Sequence, residues 1–205
     1  MIISDSHKFI FLHPQRTGGS SIEWALAPYS KYVVMVGNHT AWGTTTNQFQ
    51  STTMNEAKAL IAQGKLKEFE KHWGVKEVQK RFPNIFENYL KFAIVRNPWD
   101  RAVSLWSTKL RKDKLPIIKE NYINLNLQEL ESIGSHGRGC SHYTHINGKL
   151  AVDFIIRYEN IEKDFAKVCE KLGINTFLPV IGKSEDRLPY SYYLTAESEA
   201  RIAEW

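Results

Sequence analysis

The stretch that most constrains this chain is residues 7–26, HKFIFLHPQRTGGSSIEWAL. Phe9 to Leu12 form a continuous apolar run, without the polar alternation of a half-buried strand. That is the pattern of a strand covered on both faces in a parallel sheet. The run breaks at His13-Pro14 and passes through Arg16, Thr17, Gly18 and Gly19 into Ser20 and Ser21, where a helical pattern opens on a Ser cap and closes near Pro28. Strand, glycine turn and helix N-terminus in that order make a device for holding phosphate. The glycines let the backbone approach an anion, unpaired N–H groups point at it, and the helix dipole favours negative charge. Arg16 adds a positive charge, and the hydroxyls of Thr17, Ser20 and Ser21 add donors. A tight turn with a capped helix is the plainer alternative for the same residues.

The segment is not a Walker loop, because it has no Gly-Lys pair preceded by a second glycine at the required distance. No acidic residue stands at a strand end to hold magnesium, so a P-loop small-molecule kinase is a weaker alternative. Further strands are expected at KYVVMVG (31–37), YLKFAIVRNP (89–98) and AVDFIIRYEN (151–160). Helical spacing runs through 53–82, through WDRAVSLWSTKL after Pro98, through IEKDFAKVCEKLGI with Gly173 as its cap, and again from near Thr195. Residues 134–149 are rich in Gly, His and hydroxyls and read as a loop. Strands alternating with helices indicate an α/β protein, a P-loop-like three-layer fold with a mostly parallel central sheet flanked by helices.

With 205 residues, 42% hydrophobic and 12% aromatic, the chain has ample material for one core, and a single domain over 1–205 is expected. The net charge of +5 suits an anionic ligand and is too mild to argue for nucleic acid. Cys140 and Cys169 supply neither a disulfide framework nor a zinc pair, so a reduced, cytoplasmic setting is expected. The first fifteen residues show no charged leader, and their apolar stretch is too short for a signal peptide or a membrane span, so no membrane partner is expected.

Four segments, in order, resemble one family. FLHPQRTGGSSIEWAL is similar to the 5′-phosphosulfate loop of sulfotransferases, above all the heparan and chondroitin type and its bacterial relatives. KFAIVRNPWDRAVSLW resembles their 3′-phosphate motif, VDFIIRYENIEKDFAKVCEKLGI their third signature, and LPVIGKSEDRLPYSYYLTAE their C-terminal segment. The resemblance implies transfer of a sulfuryl group from 3′-phosphoadenosine 5′-phosphosulfate to a hydroxyl, on a carbohydrate, with 3′,5′-ADP as product and no metal. It implies that Arg16, Thr17, Gly18, Gly19, Ser20 and Ser21 hold the 5′-phosphosulfate and that Arg96 and Ser104 hold the 3′-phosphate. Tyr158 would contact adenine, and Lys183, in a basic turn with Ser184 and Arg187, would close over the nucleotide. Arg16 stands where the family has Lys, and Pro14-Gln15 depart from the family order. Arginine can steady developing negative charge but cannot act as a general acid. A non-catalytic nucleotide- or glycan-binding module of the same fold is therefore a further alternative.

Sulfuryl transfer needs an aligned acceptor hydroxyl, a base for its proton and positive groups at the leaving phosphate. The resemblance points to His39, in GNHTAWG, as base, and imidazole has the right pKa. Residues 112–150, an acceptor-side loop or lid, carry His136, Arg138, Cys140, His142 and His145, whose spacing matches no zinc signature. Asp100 with Arg101, and Arg157 with Glu159, are expected to form structural ion pairs, and His13 to hydrogen-bond within the loop.

Overall fold

The protein is described from a computed structural model, which covers residues 1–4, 6–29, 72–122, 138–182 and 187–204. The main sheet has four strands in the order β1 (Ile2–Ser4), β2 (Phe9–Leu12), β3 (Leu90–Val95) and β6 (Phe154–Arg157). β2, β3 and β6 run parallel, with Phe11 opposite Phe92 and Phe92 opposite Phe154, while β1 pairs antiparallel with β2 at one edge. The strand expected at 31–37 and the helical pattern over 53–71 lie outside the described residues.

β2 is fully buried along its length, as its unbroken apolar sequence requires. The two-residue period sends Phe9 and Phe11 to one face of the sheet and Ile10 and Leu12 to the other. On the first face they meet Phe92, Ile94 and Ile156 of the neighbouring strands, Ile22 and Leu26 of α1 (Gly19–Leu26), and Phe165 and Val168 from a later helix, Ile161–Leu172. On the second face Ile10, Leu12 and Ala93 pack with Trp73 and with Val75, Val78, Phe82 and Phe86. Those residues belong to α2 (Val75–Arg81), α3 (Pro83–Asn88) and their junctions. The result is three layers, helix–sheet–helix.

α4 (Pro98–Lys112) begins where β3 ends. The Asn97 side chain caps it, accepting from the N–H groups of Trp99 (3.0 Å) and Asp100 (3.2 Å), and Pro98 occupies the first turn. Its apolar face forms a third cluster with Tyr122, Tyr193, Leu194 and Ile202. The stretch expected as a loop holds a short helix, α5 (Ser141–Thr144), and a hairpin of β4 (His145–Ile146) with β5 (Lys149–Leu150). Asn147 and Gly148 turn the hairpin with φ of +52° and +76°, the left-handed pair that Asn-Gly supplies. α6 (Ile161–Leu172) closes at Gly173, and α7 (Tyr190–Tyr193) and α8 (Ala196–Glu204) complete the described chain.

Candidate functional site

Because β2 and β3 are parallel neighbours, both end at the same edge of the sheet, and each feeds a helix there. The β2 junction turns on Gly18, whose φ of +79° lies in the left-handed region, so α1 starts at Gly19 from a glycine cap rather than a serine. A Cβ on Gly18 would come within 2.7 Å of the Tyr158 ring, and one on Gly19 would run into the His13 imidazole. Gly19 and Ser20 stand in the first helical turn, whose N–H groups find no acceptor inside a helix. Thr17 is fully buried, and its hydroxyl donates to the Pro14 carbonyl (2.7 Å), closing the loop from within. Ser21 Oγ accepts from the Ile181 N–H at 3.2 Å. The Thr17 hydrogen is thus committed to holding the loop, whereas Ser21 Oγ only accepts there and its own hydrogen is not used by that bond.

Arg16 sits at φ +63°, a left-handed conformation unusual for a side chain of its size. Its Nε donates to Ser104 Oγ (3.0 Å), and its carbonyl accepts from Arg96 Nη1 (2.9 Å). Residues from the two junctions, 88 and 80 positions apart, therefore lock directly onto each other. Arg96 pairs with Asp100 through Nε (2.7 Å) and Nη2 (2.6 Å) and lies 4.2 Å from the Tyr158 ring centre. Arg187 Nη2 donates to the other oxygen of Asp100 (2.6 Å), while its Nη1 is buried without a hydrogen-bond partner among the described residues. These side chains line a cleft of about 410 Å³ with Gly182, Leu188, Pro189 and Tyr190. Three guanidiniums line the cleft against one carboxylate, which pairs with Arg96 and Arg187, so the cleft is deficient in negative charge. Burial lowers the Arg16 pKa, and the neighbouring Arg96, Arg111 and Arg187 lower it further.

Arg16, Arg96, Ser104 and Tyr158 are thus brought together, with Gly18 against the Tyr158 ring. His39, Lys183 and His136 lie outside the described residues. Two expected ion pairs are replaced. Asp100 serves Arg96 and Arg187, and the buried Arg101 donates to the carbonyls of Gln15 (3.0 Å) and Arg138 (2.9 Å). Glu159 accepts from the Asn97 N–H (2.7 Å), and the Arg157 N–H donates to Asp164 (3.1 Å). His13 turns out of the loop to meet the buried Glu23 at 2.8 Å.

Sequence reasoning missed His72. Its Nδ1 lies 3.0 Å from the His13 carbonyl, and its ring packs edge-on against that of His13 at 4.8 Å. A carbonyl only accepts, so Nδ1 carries the hydrogen and Nε2 of the neutral ring carries the lone pair. The only sequence signal was an isolated histidine ahead of a helix. Glu77 was also missed as the partner of two residues already singled out: Arg138 Nη1 is 2.8 Å from His142 Nε2, and Glu77 is 3.6 Å from His142 and 3.9 Å from Arg138. Burial pulls the His142 pKa down; Glu77 opposes this and Arg138 adds to it. Among the described residues no group of three His, Cys, Asp or Glu side chains could hold a metal.

A model of the sulfotransferase family matches residues 1–202. An uncharacterized protein of Archaeoglobus fulgidus is 37% identical over 102 residues, which are 47% of this chain and 78% of that protein. No solved structure matches the chain.

Proposed function

From a chain that belongs to the sulfotransferase family, we propose an enzyme that moves a sulfuryl group from 3′-phosphoadenosine 5′-phosphosulfate to a hydroxyl of a carbohydrate acceptor in the cytoplasm. The observation that carries this is the direct bonding of two strand-to-helix junctions in one cation-rich cleft. A donor with a 3′-phosphate and a 5′-phosphosulfate on one ribose needs two such places side by side. The buried, unpartnered Nη1 of Arg187 and the excess of guanidinium over carboxylate fit an anionic occupant.

In this reading Gly18, Gly19, Ser20 and the backbone around Thr17 and Ser21 cradle the 5′-phosphosulfate. Arg96, Ser104 and Arg187 take the 3′-phosphate, Tyr158 lies against the adenosine, and Lys183 adds charge. Sulfuryl transfer forms a bond from the acceptor oxygen to sulfur while the bond from sulfur to the bridging phosphate oxygen breaks. Arg16 steadies the charge that collects on the leaving phosphate without giving it a proton. The acceptor proton goes to a base. His39 is one candidate; His72, oriented by its contact with the His13 carbonyl, is a second. Arg101 ties residue 138 to residue 15, so the stretch from 138 borders the acceptor side.

Calorimetry with 3′,5′-ADP, set against ATP plus magnesium, tests the donor: binding of the first and not the second is expected, and the reverse rejects the proposal. A specific contact favours a second reading. Arg16 is engaged by Ser104, so a binding module without turnover would look the same. Release of labelled sulfate to an acceptor separates the two, and activity that appears only on Arg16→Lys supports the module.

A further inference from the structure

From the last turn of α4 the chain runs KLRKDKLPIIKE, residues 109–120. It forms a built turn. Asp113 N–H donates to the Lys109 carbonyl (2.9 Å), Leu115 N–H to Leu110 (2.8 Å), and Asn121 to the Pro116 carbonyl (2.8 Å). Ile117 packs inward against the α4 cluster, which turns its neighbours outward. Leu115 is 48% exposed and Ile118 46% exposed, and around them the exposed cations Arg111, Lys112, Lys114 and Lys119 outnumber the exposed carboxylates Asp113, which pairs with Lys109, and Glu120. Tyr192, 48% exposed, continues the patch, with the Lys119 ammonium 5.7 Å from its ring centre. Leu188, 51% exposed, belongs both to this face and to the wall of the anion cleft. Apolar side chains are thus held out of the fold among cations, at the cleft's rim.

We propose that the turn of residues 111–119, with Leu188 and Tyr192, is a docking surface for a bilayer containing anionic lipid. Leu, Ile and Tyr enter the boundary between headgroups and acyl chains, and the surrounding cations meet the negative surface. Charge complementarity alone would also suit a soluble polyanion, but a polyanion gives the exposed Leu115 and Ile118 nothing to bury in. That no helix among the described residues could span a membrane does not bear on this surface contact. The consequence for activity rests on the sulfotransferase reading: the cleft mouth would meet acceptor hydroxyls displayed at a membrane. The docking itself does not depend on it.

Sedimentation with phosphatidylcholine vesicles, with and without 30 mol% phosphatidylglycerol, tests this on the whole chain without nucleotide. Partition is expected only with the anionic lipid and is expected to fall in high salt. At roughly fivefold per basic residue, Lys112→Ala/Lys114→Ala should weaken it about 25-fold. Leu115→Ser/Ile118→Ser, which leaves every charge in place, should weaken it about tenfold. A Tyr192→Trp variant should blue-shift its emission on vesicles. Circular dichroism and 3′,5′-ADP binding check that each variant is folded. No partition onto anionic vesicles, partition indifferent to Leu115→Ser/Ile118→Ser, or binding to heparin without binding to vesicles would each overturn the proposal. Vesicle binding with no sulfuryl transfer would leave the docking standing and count against the enzyme.

Discussion

Two charged clusters border the same loop and are built on opposite principles. At Arg16, Arg96 and Arg187 three cations line a cleft with the carboxylate of Asp100, which pairs with Arg96 and Arg187 while Arg16 bonds Ser104, and one buried guanidinium nitrogen has no partner among the described residues. At Glu77, Arg138 and His142 one cation faces one anion, with an imidazole held neutral by burial between them. The first arrangement carries excess positive charge and the second is closed in net charge, although Glu77 Oε2 is itself buried without a hydrogen-bond partner among the described residues. An incomplete cluster needs a ligand to reach its lowest energy; a closed one serves mainly to hold two segments together. The contrast is what marks the arginine cleft as the candidate anion site.

The sharpest way to break that contrast is to remove one arginine from each cluster. Arg96→Ala deletes a guanidinium that bonds Asp100 and the Arg16 carbonyl, so 3′,5′-ADP should bind about 100-fold more weakly, the scale of two charge-assisted hydrogen bonds. Arg138→Ala should leave that affinity within about twofold, since its partners already balance it. Calorimetry reads both. Equal losses would mean that the two clusters form one site.

A glycine in each region sharpens it further, through stability. Gly19→Ala drives a methyl into the His13 ring, packed between Phe11 and His72, and should cost about 3 kcal/mol by overpacking. Gly148→Ala meets no atom within 4 Å and should cost only the left-handed backbone term, about 1 kcal/mol. Urea denaturation compares them. A larger loss at Gly148 would mean that the β2–α1 junction is looser than its contacts indicate.

What could be read from the sequence was local. The buried strand and its glycines are neighbours in the chain, as are the third strand and its Arg-Asn-Pro junction, and their periodicities sufficed to expect β2, α1, β3 and α4; the parallel pairing of β2 with β3 is what sets both junctions at one edge of the sheet. Asp100 was assigned to the wrong partner because adjacent helical residues point in different directions; its real partners are one turn back at Arg96 and 87 positions away at Arg187. His72 is 59 positions from the carbonyl that orients it, a pairing that only the folded sheet creates. The hairpin at Asn147-Gly148 did carry its turn signal, but strands of two residues are too short to show alternation.

The smallest expected effect lies in the closed cluster and concerns pH. Burial holds the His142 pKa below 6.5, so between 6.5 and that lower value the unfolded chain binds a proton that the folded chain does not. Stability therefore falls as pH drops through this window, and His142 contributes nothing to the slope above it. Protonation would also set a positive imidazole 2.8 Å from the Arg138 guanidinium, and Glu77 offsets that only in part. In His142→Gln the amide oxygen can still accept from Arg138 but cannot titrate, so the drop in melting temperature from pH 7.5 to pH 5.5 should shrink by a few degrees. Comparing variant with parent cancels the other histidines. An unchanged drop would show that His142 titrates as it does in the open chain, and the cluster would then be as incomplete as the cleft beside it.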